Sequence, residues 1–379
     1  MSKSENTPHH QPDSNVMAKK ASRRSVLVNS GKIVGASALG ASIFASRQAP
    51  YVIAKQEPET LRITGWGGGW ETLMHETVYP PFEEEYNVKI ETDTAFPFPP
   101  KLFSSPKDDP IYDVLHSNTN EVQKAYDGGY LVDRTEYTEE TVPNIVDLYD
   151  YAHSDRLPGI AAFTSAVGLG YRTDADLPEI TSWMDLWNED LGADKASYVI
   201  TNSLGAMLLM MAGDLFGSGY EDLDAAFDAM EKLKPVKLQD FTGTMENVLL
   251  SGEANIGVIH DSGIYRHVLN DDPVPPVDWV APSEGTPALE QVFSVTNGSK
   301  KKELAYAYIN HMLSADVQKA VGEGVLYGLA NSKVQLAEEY AGKIVDSPEK
   351  AAQLIQFDWK WYNENEEEIV LRFNRAMRA

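Results

Sequence analysis

The stretch Leu61-Arg62-Ile63-Thr64-Gly65-Trp66-Gly67-Gly68-Gly69-Trp70 constrains the fold of this chain more than any other. Leu61 to Thr64 reads as a short strand, and the glycine run breaks it before a helical apolar period begins near Glu71. The helix is expected over Leu73 to Tyr86 and ends near Asn87; Val88-Lys89-Ile90-Glu91-Thr92 then alternates as a second strand. Strand, helix, strand in this order predicts a parallel α/β arrangement. Three consecutive glycines allow φ > 0 or the close approach of a ligand, so the turn reads as the floor of a small-molecule site. Trp66 and Trp70 offer flat walls that stack on a cation or a sugar face, although each indole reads equally well as ordinary core. No Gly-x-Gly-x-x-Gly with an acid about twenty residues on is present, and no Gly-Lys-Ser/Thr ending, so the turn is not a nucleotide fingerprint.

Charge narrows the partners. Seven of the 32 Lys/Arg and two of the 57 Asp/Glu lie before residue 55, which leaves 25 against 55, a net of −30. Nucleic acid, which demands clustered cations, is thereby disfavoured. The chain has 0 cysteines, so disulfides, thiol catalysis and thiolate metal sites are excluded. At 379 residues it is long enough for two α/β domains.

The segment 1–54 reads as an address. Ser22-Arg23-Arg24-Ser25-Val26-Leu27 precedes a weakly apolar Ala/Gly/Ser stretch from Ile33 to Ala45, a pattern similar to a twin-arginine export signal. Val26 and Val28 depart from the Phe and Lys usual there, and cleavage is expected near Ala54. The apolar stretch falls short of the roughly twenty residues that span a bilayer, so export outside the cytoplasm is expected rather than permanent anchoring.

Further along, Ala95 to Pro110 reads as a proline-rich loop, and Ile111 to Leu115 as a buried strand running into His116-Ser117-Asn118-Thr119-Asn120. Polar residues at the carboxyl end of such a strand are placed for ligand contact; Ser117 or Asn118 equally suits the cap of a helix from Glu121 to Tyr126. Ile160 to Arg172 reads as an extended segment crossing between two lobes, and the run Ser182-Trp183-Met184-Asp185-Leu186-Trp187 starts a helix capped by Ser182. Tyr198 to Ile200 reads as a strand, followed by Thr201-Asn202-Ser203 and an apolar helix Leu204 to Leu215 whose first amides suit an anion or polar oxygen as well as a simple cap. Helices are expected over Leu223 to Leu233 and Thr244 to Ser251, then a strand ending in the polar turn His260-Asp261-Ser262-Gly263. Val277 to Ala281 is strand-like, and Val292 to Val295 returns the chain to the first lobe. Helices follow over Lys302 to Leu313 and Ala315 to Gly322, with a helical C-terminal region opened by Ser347-Pro348-Glu349.

Four runs carry a family likeness: the Gly/Trp turn, Ser182 to Trp187, Ser251-Gly252-Glu253-Ala254-Asn255-Ile256-Gly257-Val258-Ile259, and Lys302 to Ser314. From about Leu61 to Tyr340 the chain resembles the extracellular solute-binding proteins of ABC importers, and among them the spermidine/putrescine-binding branch. The resemblance implies a type II periplasmic-binding fold with mixed sheets flanked by helices, and two strands crossing between lobes. Its lobes would comprise 55–163 with 286–379, and 164–285. It also implies a monomer with no cofactor and no catalysis, a small-molecule ligand, and delivery to a permease with a cytoplasmic ATPase.

Residue by residue, the likeness puts Trp66 at the branch's indole, Asn118 and Asn120 where it has a hydroxyl and a tyrosine, and Tyr327 in a late aromatic turn. Departures are as informative. Thr201 to Gly205 replaces an acidic pair, His260 replaces a tryptophan, and Leu289 and Gln291 stand where an aromatic and an aspartate are expected, with Glu290 between them. The expected site thus comprises Trp66, Trp70, Asn118, Asn120, His260, Asp261, Ser262, Glu290, Gln291 and Tyr327, with no arginine among them. Asp261 also reads as an ordinary turn residue. A desolvated carboxylate ligand would want a bidentate Arg, so an amine-like or polyhydroxy solute is expected. Two alternatives remain at this stage: a ferric site built from Tyr327, His260 and Glu290, and an exported hydrolase or sensory protein. The eight histidines show no His-Glu-x-x-His spacing, and a Gly-x-Ser-x-Gly elbow is absent.

Overall fold

A computed structural model describes residues 57–377; the export-signal reading of 1–54 lies outside them. In the first half, β1 (Glu59–Thr64) buries Leu61 and Ile63 and pairs in parallel with β2 (Val88–Asp93). The single helix expected between them is a jointed run: α1 (Gly69–Leu73), a π turn over Met74–Val78, and α2 (Tyr79–Tyr86). Pro80 and Pro81 lack the N–H groups that would continue the i→i−4 ladder, which accounts for the joint. Asn87, left-handed at φ 46°, ends the run. The proline-rich loop contains one short helix, α3 (Pro99–Phe103), with its prolines in the first turn where no N–H is missed. β3 (Val114–Asn118) begins three residues later than expected and leads into α4 (Thr119–Asp127).

β4 (Ile160–Arg172) has the bounds read from its apolar run, and its first eleven residues are buried. Its first part pairs antiparallel with the returning strand and its last part with second-half strands, so one continuous strand serves both halves. The second half contains β5 (Lys195–Tyr198), α5 (Ser203–Phe216), α6 (Leu223–Lys232), β6 (Lys237–Gln239), α7 (Thr242–Leu250), β7 (Ile256–His260), α8 (Asp261–Asn270) and β8 (Val277–Val280). β5 stops at Tyr198 because Val199–Asn202 closes a turn, Asn202 N–H donating to Val199 O at 3.0 Å. Asn202 then caps α5 through Leu204 N–H. α5 is apolar all round and is buried through Gly213, as a helix without a polar face must be. The polar turn expected after β7 is instead the first turn of α8.

β9 (Thr286–Val295) returns to the first half, pairing antiparallel with β4 and β3. The long sheet path runs β2-β1-β3-β9-β4-β7-β5-β6. α9 (Lys302–Met312), α10 (Ala315–Gly324), α11 (Pro348–Ala352) and α12 (Trp359–Met377) complete the chain. The sequence groups α12 with the first half. Its apolar face, with Trp359, Tyr362, Ile369 and Phe373, lies in the same core as Leu204 and Met207 of α5, while its polar face reaches first-half α4 through Lys124–Glu366 at 2.7 Å. No helix among the described residues is long and apolar enough to cross a membrane.

Candidate ligand-binding site

Strands of both halves deliver their carboxyl ends to one seam, as open α/β sheets do. From the first half come Trp66 after β1 and Asn118 at the end of β3; from the second come Ser203 at the start of α5 and His260 at the end of β7. The halves touch there directly. Asn118 Nδ2 donates to Ser203 Oγ at 3.2 Å, and Ser203 Oγ donates to Asn120 Oδ1 at 3.0 Å. Asn118 holds the N-cap position of α4 but makes no side-chain cap bond, so its amide serves the seam instead. Asn363 of α12 donates to the Asn120 carbonyl at 2.9 Å.

Gln291 organises the aromatic side of the seam. Its Oε1 accepts from Trp66 Nε1 at 2.8 Å and lies 3.2 Å from His116 Nε2. His116 stacks on Phe293, two residues along the same face of β9, with centroids 3.9 Å apart. Burial drives His116 down to about 3, which keeps the ring neutral. Trp70 packs on His116, Phe163 and Tyr327 and is buried core; its Nε1 has no partner among the described residues. Tyr327, hydrogen-bonded to Gln291, also meets the edge of His260 at 6.5 Å. Trp66 and Tyr327 are the half-buried faces of this cluster. The glycines beside it are exposed, and a Cβ at Gly67, Gly68 or Gly69 would meet nothing within 4 Å; only Gly68 needs φ > 0, at 64°. The glycine turn leaves open space beside the indoles.

His260 caps α8, Nδ1 accepting Gly263 N–H at 3.1 Å with Ser262 Oγ 2.7 Å away. Burial lowers its pKa to about 4. Asp261 is buried against the crossing strand: Oδ1 accepts its neighbour Ser262 N–H at 2.7 Å and Oδ2 accepts Ala166 N–H at 3.3 Å. Desolvation pushes Asp261 up to about 7, so near neutral pH it is only partly charged.

Glu290 is not in this cluster. Side chains alternate along a strand, so it opens on the face opposite Gln291. Both its oxygens meet the Arg156 guanidinium, Oε2 at 3.0 Å from Nη1, and Thr119 Oγ1 donates to Oε2 at 2.9 Å. Two buried carboxylates around the seam are each met by an arginine: Arg156 neutralises Glu290 on the far face, and Arg266 pairs with the buried Glu246 close enough to influence His260 and Tyr327. Sequence reasoning placed His116 in the polar run at the end of a strand but gave it no role in the site, and it missed Arg156, Arg266, Ser203 as a seam donor and Asn363. Of these missed residues only Ser203 carried a signal, its place just after a strand and at the head of an apolar helix. The ferric alternative loses its geometry, because Glu290 stands on the far face from Tyr327 and His260. Among the described residues no group of three or more His, Cys, Asp or Glu is placed to hold a metal.

Two α/β halves served by shared strands, with strand ends meeting across a seam, define the class of two-lobed binding proteins. An ABC transporter structure from Clostridium perfringens is 26% identical and matches with a TM-score of 0.70, covering 84% of this chain and 100% of that one. A spermidine/putrescine ABC transporter substrate-binding protein from Streptococcus pneumoniae, at 19% identity and a TM-score of 0.65 over 84% of this chain and 100% of that one, shares the fold. The chain belongs to the bacterial extracellular solute-binding protein family, whose model matches residues 77–352. Among curated relatives, the spermidine/putrescine-binding periplasmic protein of Escherichia coli (strain K12) is 27% identical over 233 residues, 59% of this chain; the chain spans 64% of that relative's length.

Proposed function

We propose that this chain captures one small polar organic solute in the seam and presents it to a membrane permease driven by a cytoplasmic ATPase, working as an exported monomer without chemistry of its own. The observation that carries the reading is the Asn118–Ser203–Asn120 clasp beside Trp66, Tyr327 and Gln291: side chains from both halves converge on one spot through long-range contacts. A twin-arginine signal in 1–54 and a place outside the cytoplasm belong to the same proposal and rest on Arg23-Arg24.

On solute class, the structure argues against a diamine held by a carboxylate at each end. Of the two acids expected at the site, Glu290 is neutralised on the far face and Asp261 already accepts two backbone N–H groups. What remains is indole and phenol faces, neutral amides and hydroxyls, which suit a neutral or singly charged amine-like solute. Thermal-shift screening of the full chain against monoamines, diamines, sugars and amino acids tests this, since a ligand of the folded state raises the melting temperature. A monoamine or neutral hit lost in Trp66→Ala and Ser203→Ala supports the proposal. Hits indifferent to both substitutions place the solute elsewhere.

A further inference from the structure

The aromatic side of the seam offers ring faces without an acid to go with them. Trp66 and Tyr327 are half-buried and share one partner, Gln291, which takes the indole N–H at 2.8 Å and is hydrogen-bonded to the phenol. Phe96, in the loop after β2, is 46% exposed, and its ring centroid lies 6.1 Å from that of Trp66 at an interplanar angle of 43°. The glycine turn adds room rather than walls, since a Cβ at Gly67, Gly68 or Gly69 would meet nothing within 4 Å. Acceptors for an N–H group are scarce there. Gln291 Oε1 already serves Trp66 and lies 3.2 Å from His116 Nε2, and the clasp spends Ser203 Oγ and Asn120 Oδ1 on itself. The nearby acids are buried and engaged: Asp261 holds two backbone N–H groups, Glu246 is taken by Arg266 and His267, and Glu121 accepts the N–H of the buried Phe98. Arg266, whose charge reaches Tyr327 and His260, is offset by Glu246 in direct contact.

We infer that the seam takes a quaternary ammonium solute, whose N-methyl head lies against the faces of Trp66 and Tyr327 with Phe96 as the outer wall. The inference rests on the seam reading above and names the solute class within it. A primary ammonium brings three N–H donors, each of which costs free energy if it is buried without an acceptor. A quaternary ammonium brings none, and its charge is attracted to the negative faces of aromatic rings. A neutral head of the same shape gains the burial but not that attraction.

Three probes of one skeleton separate these effects: choline; ethanolamine, which keeps the charge but restores the N–H donors; and neopentylcarbinol, the uncharged carbon isostere of choline. Each is titrated calorimetrically into the full chain. Choline is expected to bind at least about tenfold tighter than either of the others. Trp66→Ala should weaken choline about tenfold or more, Trp66→Phe, which keeps a ring face, should recover part of that loss, and Phe96→Ala should weaken it about two- to fivefold. Phe96 is exposed, so its substitution tests the site even where Trp66→Ala disturbs folding. If ethanolamine or the neutral alcohol binds as tightly as choline and loses affinity in Trp66→Ala and Ser203→Ala, the quaternary-ammonium inference is overturned and the seam reading stands. Absence of choline binding, or an unchanged choline affinity in Phe96→Ala, also overturns the inference alone. Choline binding that ignores Trp66→Ala, Ser203→Ala and Phe96→Ala together overturns both.

Discussion

Glu290 and Gln291 are neighbours on β9, yet they face two environments that differ in kind. On the Gln291 side the polar groups are neutral and interlocked with rings: one amide oxygen serves an indole and an imidazole. On the Glu290 side a buried carboxylate is matched to a guanidinium at the floor of an open groove. The first arrangement tolerates low dielectric because Gln291, Trp66 and the neutral His116 carry no charge; the second tolerates it only because the charges come as a pair. A strand that inverts side-chain direction at each residue can thus give one protein a neutral seam and a charged groove without an intervening layer.

The sharpest way to break this contrast is to leave one charge alone. Arg156→Ala strands Glu290, only 2% exposed, and is expected to cost about 3 kcal/mol or more in urea unfolding. On the neutral face Gln291→Leu removes the acceptor of Trp66 and His116, an expected loss of about 1–3 kcal/mol by the same measurement. If Gln291→Leu proved the costlier of the two, the contrast would be inverted. Ser203→Ala, which cuts the clasp, should cost about 0.5–1.5 kcal/mol, and solution scattering should report a larger radius of gyration as the halves part.

Acidity separates the groups in another way. Asp261 keeps its proton in the folded state up to about 7 but releases it near 3.8 when unfolded, so its contribution to stability is present below 3.8 and is lost as pH rises to 7. His116 and His260 are held neutral down to about 3 and about 4, so theirs is present above 6.5 and is lost as pH falls toward those values. Asp261→Asn should therefore make stability rise more steeply between pH 4 and 7, and His116→Gln should flatten it; urea midpoints at pH 5, 6 and 7 measure both slopes. The smallest effect is expected at the α4–α12 contact, where Lys124→Ala removes a partly exposed ion pair worth about 0.2–1 kcal/mol.

Much of the fold was legible in the chain. β4 ran over Ile160–Arg172, the extended segment its mostly apolar composition implied, and Ser182 made the capping box its spacing promised. Local signals succeed where the deciding interactions lie within a few residues. The misreadings came from elsewhere: the prolines at 80 and 81 jointed a helix, and a polar Asp-Ser-Gly stretch that reads as a turn became the first turn of α8 once His260 capped it. Site residues divided in the same manner. Trp66, Asn118, Asn120 and Tyr327 came together as their positions at strand ends and turns implied. Glu290 did not, because a one-residue step along a strand reverses the direction of its side chain.

The sequence by itself determined the alternation of strands and helices, the acidity, the absence of thiol chemistry and the residues that crowd strand ends, since all of these depend on composition and on neighbours close in the chain. Tertiary structure alone decided which face of β9 each residue serves and which cation meets which acid: Arg156 reaches Glu290 across 134 positions and Trp66 reaches Gln291 across 225. Such pairings depend on strand register and on helices packed from opposite ends of the chain, and no local period encodes them.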